Sequence, residues 1–215
     1  MALNTNALAR KHDAHGQSTA DGNDVLRHAD QFVFPTHTWA GNGHVQAPVI
    51  SGSERDMSWI EVASPVRGLE LDGGPGNDEL TGRNGADEIH GAAGDDTIVG
   101  GGGRDELEGG TGDDRLLGGK GRDTLEGGAG NDLLSGGGGA DVFEFERGEG
   151  FDRILDFSDG QDRIALDEVS AADVNALISN AQQIGDSVVI YLGPDSSVTI
   201  ENMQLRQLDA GDFLF

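Results

Sequence analysis

The sequence predicts an all-β chain: a parallel β-solenoid closed by a β-rich C-terminal cap that contains one short helix. Two observations carry this reading. Residues 73–144 divide without insertion into eight nonapeptides, from "GGPGNDELT" to "GGGGADVFE". Residues 145–215 then lose the nine-residue rhythm and show mixed strand and helix signals. Repeats of this length are one supersecondary unit each, and stacking them builds a continuous core.

Each repeat position has a physical reading. Positions one and four are Gly in every unit, which suits a tight turn with close backbone approach. Position six is always Asp, and position eight is always large and apolar: Leu80, Ile89, Ile98, Leu107, Leu116, Leu125, Leu134 and Phe143. Side chains alternate faces along a strand, so a short strand over positions seven to nine points position eight inward. Glu79, Glu88, Glu106, Glu108 and Glu126 then fall in water. A flexible glycine linker would share this composition but not its phase.

Composition narrows the function. The chain of 215 residues carries 36 Gly, no Cys and a formal net charge of −25. Such charge with so few aromatics usually leaves a chain disordered. It argues against nucleic acid, whose phosphates need Lys and Arg, and against an anionic membrane. The missing cysteines exclude a disulfide framework and thiolate-bound zinc. No apolar run is long enough to span a bilayer. "MALNTNALARKHDAHG" lacks the apolar core of a cleaved secretory signal.

What remains is a cation. The repeats hold 16 acids against 5 bases over residues 73–144 and bury only eight large apolar side chains. Apolar burial on that scale does not offset the entropy of ordering the segment. A bound cation would supply ligation and charge neutralisation together. The available ligands are carboxylates and backbone carbonyls at glycine turns, hard oxygens that suit Ca2+. Mg2+ demands a tighter octahedron and holds its waters. Softer metals prefer Cys and His, absent from the repeats apart from His90.

The pattern G-G-x-G-x-D-x-U-x resembles the calcium-binding nonapeptide of the RTX (hemolysin-type) repeat proteins. The resemblance implies a right-handed parallel β-roll with two nonapeptides per coil and calcium between turns n and n+2. It implies carboxylate ligands from Asp78, Asp87, Asp96, Asp105, Asp114, Asp123, Asp132 and Asp141. Eight repeats give six such pairs, the first joining Asp78 to Asp96 and the last Asp123 to Asp141, with eight ions as the upper count. The implied carbonyl donors of the first four turns are Gly74, Gly76, Gly85, Gly91, Gly94, Gly100, Gly101 and Gly103, with Ala93 beside Gly91. In the later turns they are Gly109, Gly110, Gly112, Gly118, Gly119, Gly121, Gly127, Gly128, Gly130 and Gly136. Arg83 departs from Gly at position two, although a carbonyl donor there need not be Gly.

The tail keeps two degenerate repeats, G-x-D-x-I at 150–154 and 160–164. "SAADVNALISNAQQIG" has helical spacing with Ser170 as N-cap. "DSVVIYLGPDSSVTIEN" reads as two strands around a Gly-Pro-Asp turn. A solenoid needs such a cap over its last open coil. The series "GADVFEF", "DRILDF", "GQDRIAL", "DSVVIYL", "SVTIENM", "DAGDFLF" resembles the C-terminal region of serralysin-type metalloproteases and other RTX exoproteins. That resemblance implies type I export through an uncleaved C-terminal signal, ending here in Asp212, Phe213, Leu214 and Phe215. It implies a Gram-negative, extracellular setting, where calcium is plentiful and the repeats fold. "DFLF" also reads as a buried terminal strand.

The N-terminal third divides into a polar leader over 1–30 and a short β-rich cap over 31–72, with the repeats at 73–144 and the C-terminal cap at 145–215. "QFVFP", "VQAPVI", "SWIEV" and "GLEL" are strand-like, and Leu71 is in phase as an inward residue. His12, His15, His28, His37 and His44 lack a carboxylate at diagnostic spacing, and Trp39 and Trp59 read as core. There is no H-E-x-x-H zinc helix, no G-x-S-x-G elbow and no Cys nucleophile. The expectation is a secreted, calcium-binding protein without catalysis of its own, structural or adhesive, with a partner at the cell surface or matrix. The alternative is part of a secreted RTX enzyme, protease-, lipase- or epimerase-like, with its catalytic unit in residues 1–72 or outside this chain.

Overall fold

The computed structural model describes residues 49–51, 68–166 and 169–214. The leader, the five histidines, Trp39 and Trp59 lie outside the described residues, as does most of the expected N-terminal cap. A catalytic unit in residues 1–72 would fall largely there too.

Two sheets face each other across a narrow core. The first takes strands Val49–Ser51, Glu70–Pro75, Glu88–Ala93, Glu106–Thr111, Thr124–Ala129, Val142–Phe145, Arg163–Leu166 and Phe213–Leu214, in that spatial order. The second runs from Glu79–Thr81 through Thr97–Gly103, Arg115–Gly121, Leu133–Gly139 and Phe151–Ile154 to Ser197–Ile200, Ser187–Tyr191 and Gln182–Ile184. Asn84–Gly85 also pairs with Thr97–Gly103. Successive repeats therefore alternate between sheets, and each coil uses two nonapeptides. The chain is an all-β parallel solenoid.

The register shows why position eight is apolar. On the first sheet Leu71, Ile89, Leu107, Leu125, Phe143, Ile164 and Phe213 are successive partners. On the second, Leu80, Ile98, Leu116, Leu134, Ile154 and Ile200 follow one another. All of them are buried. The two columns meet between the sheets, so one large side chain per nonapeptide fills the whole core. The core widens towards the C-terminus, where Phe143 packs at 6.2 Å between centroids from Phe157.

The strands are longer than the three residues that alternation predicts. Thr97–Gly103 and Arg115–Gly121 run from position seven through the glycines of the next unit. The physical reason is that the turns stack in register as well, with Gly101 opposite Gly119 and Gly103 opposite Gly121. The turn backbone is therefore part of the ladder.

The cap forms as its local signals require. Helix Ala171–Asn180 opens on Ser170, whose side chain accepts from the Asp173 N–H while Asp173 answers the Ser170 N–H. This reciprocal cap satisfies donors that a helix start leaves free. Val174 is the helix residue buried on the core. Ser187–Tyr191 and Ser197–Ile200 pair antiparallel around Gly193-Pro194-Asp195. Phe213–Leu214 lies parallel on Arg163–Leu166 and extends the first sheet by one strand, with Phe213 buried.

Glycine is required unequally along a turn. A Cβ on Gly118 would lie 2.7 Å from Asp123 Oδ2 and 2.8 Å from the Gly136 carbonyl oxygen, whereas one on Gly138 would meet nothing within 4 Å. We therefore expect Gly118→Ala to lower stability by roughly 1–3 kcal/mol through overpacking, and Gly138→Ala to be close to neutral. Thermal denaturation of both variants at saturating calcium checks this. Equal effects would contradict the packing described.

Candidate metal centres at the solenoid turns

Position six is where the turns become chemically distinctive. Each Asp carboxylate reaches back to the coil before it and accepts from a backbone N–H eighteen residues earlier. Asp96, Asp105, Asp114, Asp123, Asp132 and Asp141 accept through Oδ1 from the N–H groups of Asp78, Asp87, Asp96, Asp105, Asp114 and Asp123, at 2.7–3.0 Å. The eight repeat aspartates form two columns, one at each edge of the solenoid. Asp78, Asp96, Asp114 and Asp132 line the odd-numbered turns, and Asp87, Asp105, Asp123 and Asp141 the even-numbered turns. All eight are buried, with at most 3% of their surface exposed.

The second carboxylate oxygen is less well provided for. Oδ2 of Asp96, Asp105, Asp114, Asp123, Asp132 and Asp141 is buried without a hydrogen-bond partner. A buried anionic oxygen left unpaired is costly. Its surroundings explain the invariant Gly at position one. Around Gly100, the Asp105 Oδ2 and the Gly118 carbonyl oxygen each lie 2.7 Å from the place a Cβ would occupy. Gly73, Gly82, Gly91, Gly109 and Gly118 repeat the arrangement with their own Asp and the carbonyl of the next stacked turn. A carboxylate oxygen and a carbonyl oxygen thus converge on one small cradle that only glycine leaves open. None of these position-one glycines has positive φ, whereas position two does in every unit but that of Arg83 and position four in every unit but that of Gly130. At position one the need is space, and at position four it is both.

This donor set fits a hard cation such as Ca2+. Among the described residues no group of three or more His, Cys, Asp or Glu side chains converges on one point. A cation held here would therefore take part of its shell from backbone carbonyls. The position-one carbonyls of Gly91, Gly100, Gly109, Gly118, Gly127 and Gly136 are the ones facing an Asp Oδ2. Those of Gly76, Gly85, Gly94 and Gly103 occupy the place a Cβ would take on Gly94, Gly103, Gly112 and Gly121 of the next stacked turn. The Ala93 carbonyl accepts from the Gly76 N–H at 2.7 Å.

Arg83 has a consequence that its replaceable carbonyl does not suggest. Its N–H donates to Asp87 Oδ2 at 2.8 Å, while Asp87 Oδ1 accepts from the Leu69 N–H at 2.7 Å. Both oxygens of Asp87 are committed to backbone donors, which sets the Asp87–Asp105 pair apart from the rest.

The structure also extends the array beyond the eight repeats. The Asp132 N–H donates to Asp152 Oδ1 at 3.1 Å and the Asp141 N–H to Asp162 Oδ1 at 3.0 Å. These are the aspartates of the two degenerate repeats, whose spacing to their partners stretches to 20 and 21 residues. The G-x-D-x-I motif was the available signal; the inserted residues masked its phase. Asp156 gave no such signal, yet it accepts from the Ser135 hydroxyl and the N–H groups of Gly136 and Gly137.

A second, exposed ladder occupies the odd edge. The Asp95 N–H donates to Asn77 Oδ1, the Asp113 N–H to Asp95 Oδ1 and the Asn131 N–H to Asp113 Oδ1, at 2.8–3.0 Å. It runs opposite in sense to the buried column beside it.

Electrostatics follow from burial. Desolvation, opposed by the backbone donor and reinforced by stacked neighbours, raises the carboxyls of Asp96, Asp105, Asp114 and Asp141 to about 6. Asp132 reaches about 7 for the same reasons. On the outer face of the first sheet Glu126 stands between Glu108 and Glu144, and partial burial with these neighbours lifts it to about 7. Glu79, Glu88, Glu106 and Glu108 are exposed as expected, whereas Glu126 is half-buried in a stack of like charges.

A parallel solenoid with two nonapeptides per coil and a buried aspartate at each turn defines a β-roll. Residues 72–107 and 108–143 each match the family model of the RTX calcium-binding nonapeptide repeat (4 copies). The repeat block is thus of the RTX calcium-binding type. Among solved structures the chain is similar to the extracellular lipase LipA from Serratia marcescens, at 19% identity and a TM-score of 0.38 over 73% of this chain and 42% of the lipase. It is also similar to the AlgE6R3 subunit of the Azotobacter vinelandii mannuronan C5-epimerase, at 26% identity and a TM-score of 0.43 over 66% of this chain and 79% of that subunit. The AlgE6R2 subunit gives 29% identity and a TM-score of 0.33, over 63% of this chain and 91% of that one. The chain spans less than half the length of the lipase. No curated protein matches it.

The raised carboxyls fix the sign of a pH effect. A carboxyl that titrates higher folded than unfolded binds more protons when folded, so its favourable contribution is full below about pH 4 and lost as pH rises through about 6–7. Without divalent cations the fold should therefore be more stable at pH 5 than at pH 8. Far-UV circular dichroism in metal-free buffer checks this, with β content expected to rise as pH falls from 8 to 5, and saturating calcium should remove the trend by replacing the proton. Metal-free stability that rises from pH 5 to pH 8 would contradict the burial of these acids.

Proposed function

We propose that this is a secreted calcium-binding protein whose repeats fold on binding several Ca2+ ions outside the cell, and that it serves a structural or adhesive role. The observation that carries the reading is the set of six buried Asp Oδ2 atoms without partners, four of which, on Asp96, Asp105, Asp114 and Asp123, share a cradle with a glycine carbonyl of the next stacked turn. Neutralising one such oxygen would be local; neutralising a stacked column is cooperative.

The proposed ligands are the position-six aspartates with turn carbonyls, position one foremost, in six sites between stacked turns. In the cytosol, where Ca2+ is scarce, the acidic repeats would repel one another and stay able to thread through type I export machinery. The C-terminal signal for that export is proposed at Asp212–Phe215, and the buried Phe213 gives this end a role in the folded cap as well. Among the described residues no helix is long and apolar enough to cross a membrane.

Far-UV circular dichroism of the full chain during a calcium titration tests the proposal, with magnesium as control. The expected result is a cooperative coil-to-β transition at Ca2+ up to about millimolar, the range of extracellular calcium modules, that magnesium does not reproduce. A chain fully β-rich in excess chelator would overturn the folding switch. Absence of any calcium effect would overturn the metal assignment itself.

A further inference from the structure

The two edges of the solenoid carry the same buried aspartate column but opposite surroundings. Besides those aspartates, the odd turns hold Asp95 and Asp113 and no base. The even turns hold Arg83, Arg104, Lys120 and Arg122 and no further acid. Asp95, Asp113, Arg104 and Arg122 occupy the same repeat position, next in sequence to the buried Asp, and all four are exposed. Four of the five bases in residues 73–144 thus lie on one edge.

Geometry reinforces the contrast. On the odd edge the exposed ladder from Asn77 to Asn131 fixes Asp95 and Asp113 beside the buried column. Their charges act directly on Asp114, and Asp113 also acts on Asp132. On the even edge the first pair is blunted, because both oxygens of Asp87 already accept backbone N–H groups. Buried oxygens without partners stand on both edges, those of Asp96, Asp114 and Asp132 on the odd and those of Asp105, Asp123 and Asp141 on the even. The cradles are alike, so the difference lies in the field around them.

We propose that the odd and even edges are two classes of cation site, the odd edge tight and filled first, the even edge weak and filled last, with the exposed residue before each buried Asp setting the gap. This rests on the calcium reading above and adds an order of filling to it. Fixed charges within a Debye length of a divalent ion act strongly on its affinity and are screened by salt. The odd column would nucleate the solenoid at low calcium. The even column, neutral in charge until loaded, would lock it as calcium rises.

Calorimetric titration of the full chain with calcium chloride tests this. The native chain should give two phases of similar stoichiometry. Arg104→Gln with Arg122→Gln should tighten the weak phase on the order of tenfold and leave the tight phase in place. Asp95→Asn with Asp113→Asn should loosen the tight phase by a similar factor. Asn already serves this ladder at positions 77 and 131, so the substitution keeps the acceptor and removes only the charge. High salt should narrow the gap between phases. A single phase indifferent to both double variants would overturn the two-class proposal while leaving calcium binding intact. No heat at millimolar calcium would instead overturn the calcium reading on which it rests.

Discussion

The structure depends on one contact, the aspartate carboxylate that reaches back one coil to a backbone N–H. From Asp78 to Asp141 it recurs at each turn and fixes the spacing of successive coils. It sets the register of both sheets, because a slip of one residue would pull every carboxylate from its donor and turn every core side chain outward. It also creates the difficulty that the fold must resolve. Holding Oδ1 in a hydrogen bond places Oδ2 in the interior beside a carbonyl dipole, where both are negative. Glycine at position one is a corollary, since the cradle has room for an oxygen pair but not for a methyl group. The motif is therefore a single device: the Asp, the glycine five residues before it and the stacked carbonyl belong together.

A one-dimensional stack of this kind has ends, and both of its columns run on into the C-terminal cap. The buried ladder passes into the cap through Asp152 and Asp162, so the cap continues the solenoid's hydrogen bonding rather than merely covering it. Arg153 pairs with Glu201 across neighbouring strands of the cap. Beyond them the antiparallel hairpin of Ser187–Tyr191 and Ser197–Ile200 changes strand direction and ends the parallel repeat. On the outer face of the first sheet the stacked acids Glu108, Glu126 and Glu144 oppose close stacking. His90 hydrogen-bonds Glu108 and Glu88, and although its partial burial opposes protonation, these two carboxylates raise its pKa. It relieves one end of that column.

Much of this was legible because the repeat is exact in phase. Leu80 and Ile89 were recognisable as core from position alone, and the alternation of neighbours made Glu79 and Glu106 outward. Ser170, the helix behind it and the hairpin around Pro194 followed from local capping and turn chemistry. What the sequence hid were effects that depend on stacking. Nothing along the chain distinguishes the glycine needed for positive φ from the one needed for space, since that depends on a carbonyl eighteen residues away. Arg83 looked like a tolerated departure, but its N–H finds Asp87 only after the turn has formed. Asp152 and Asp162 lost their phase to short insertions, and Asp156 belongs to no motif. The ladder through Asp95 and Asp113 needs two coils to exist at all.

These stacking effects bear directly on how such a chain couples folding to its surroundings. A hydrophobic core stabilises a fold in any solvent composition, whereas this core is one side chain wide and is flanked on both edges by columns of buried acid. Its stability is therefore tied to what neutralises those acids. Protons can do so, but only where pH approaches their raised titration range. A divalent ion seated between two coils can do so at neutral pH, and it acts on both coils at once. Each coil that folds supplies the N–H groups and carbonyls for the next site. On the proposed calcium reading, the arrangement would turn a uniform, glycine-rich, self-repelling segment into one whose folding is cooperative along its axis. In the proposed order of filling, its cost would fall steeply once the first coil is held, and that is the physical reason the odd column's extra charge would belong where nucleation begins.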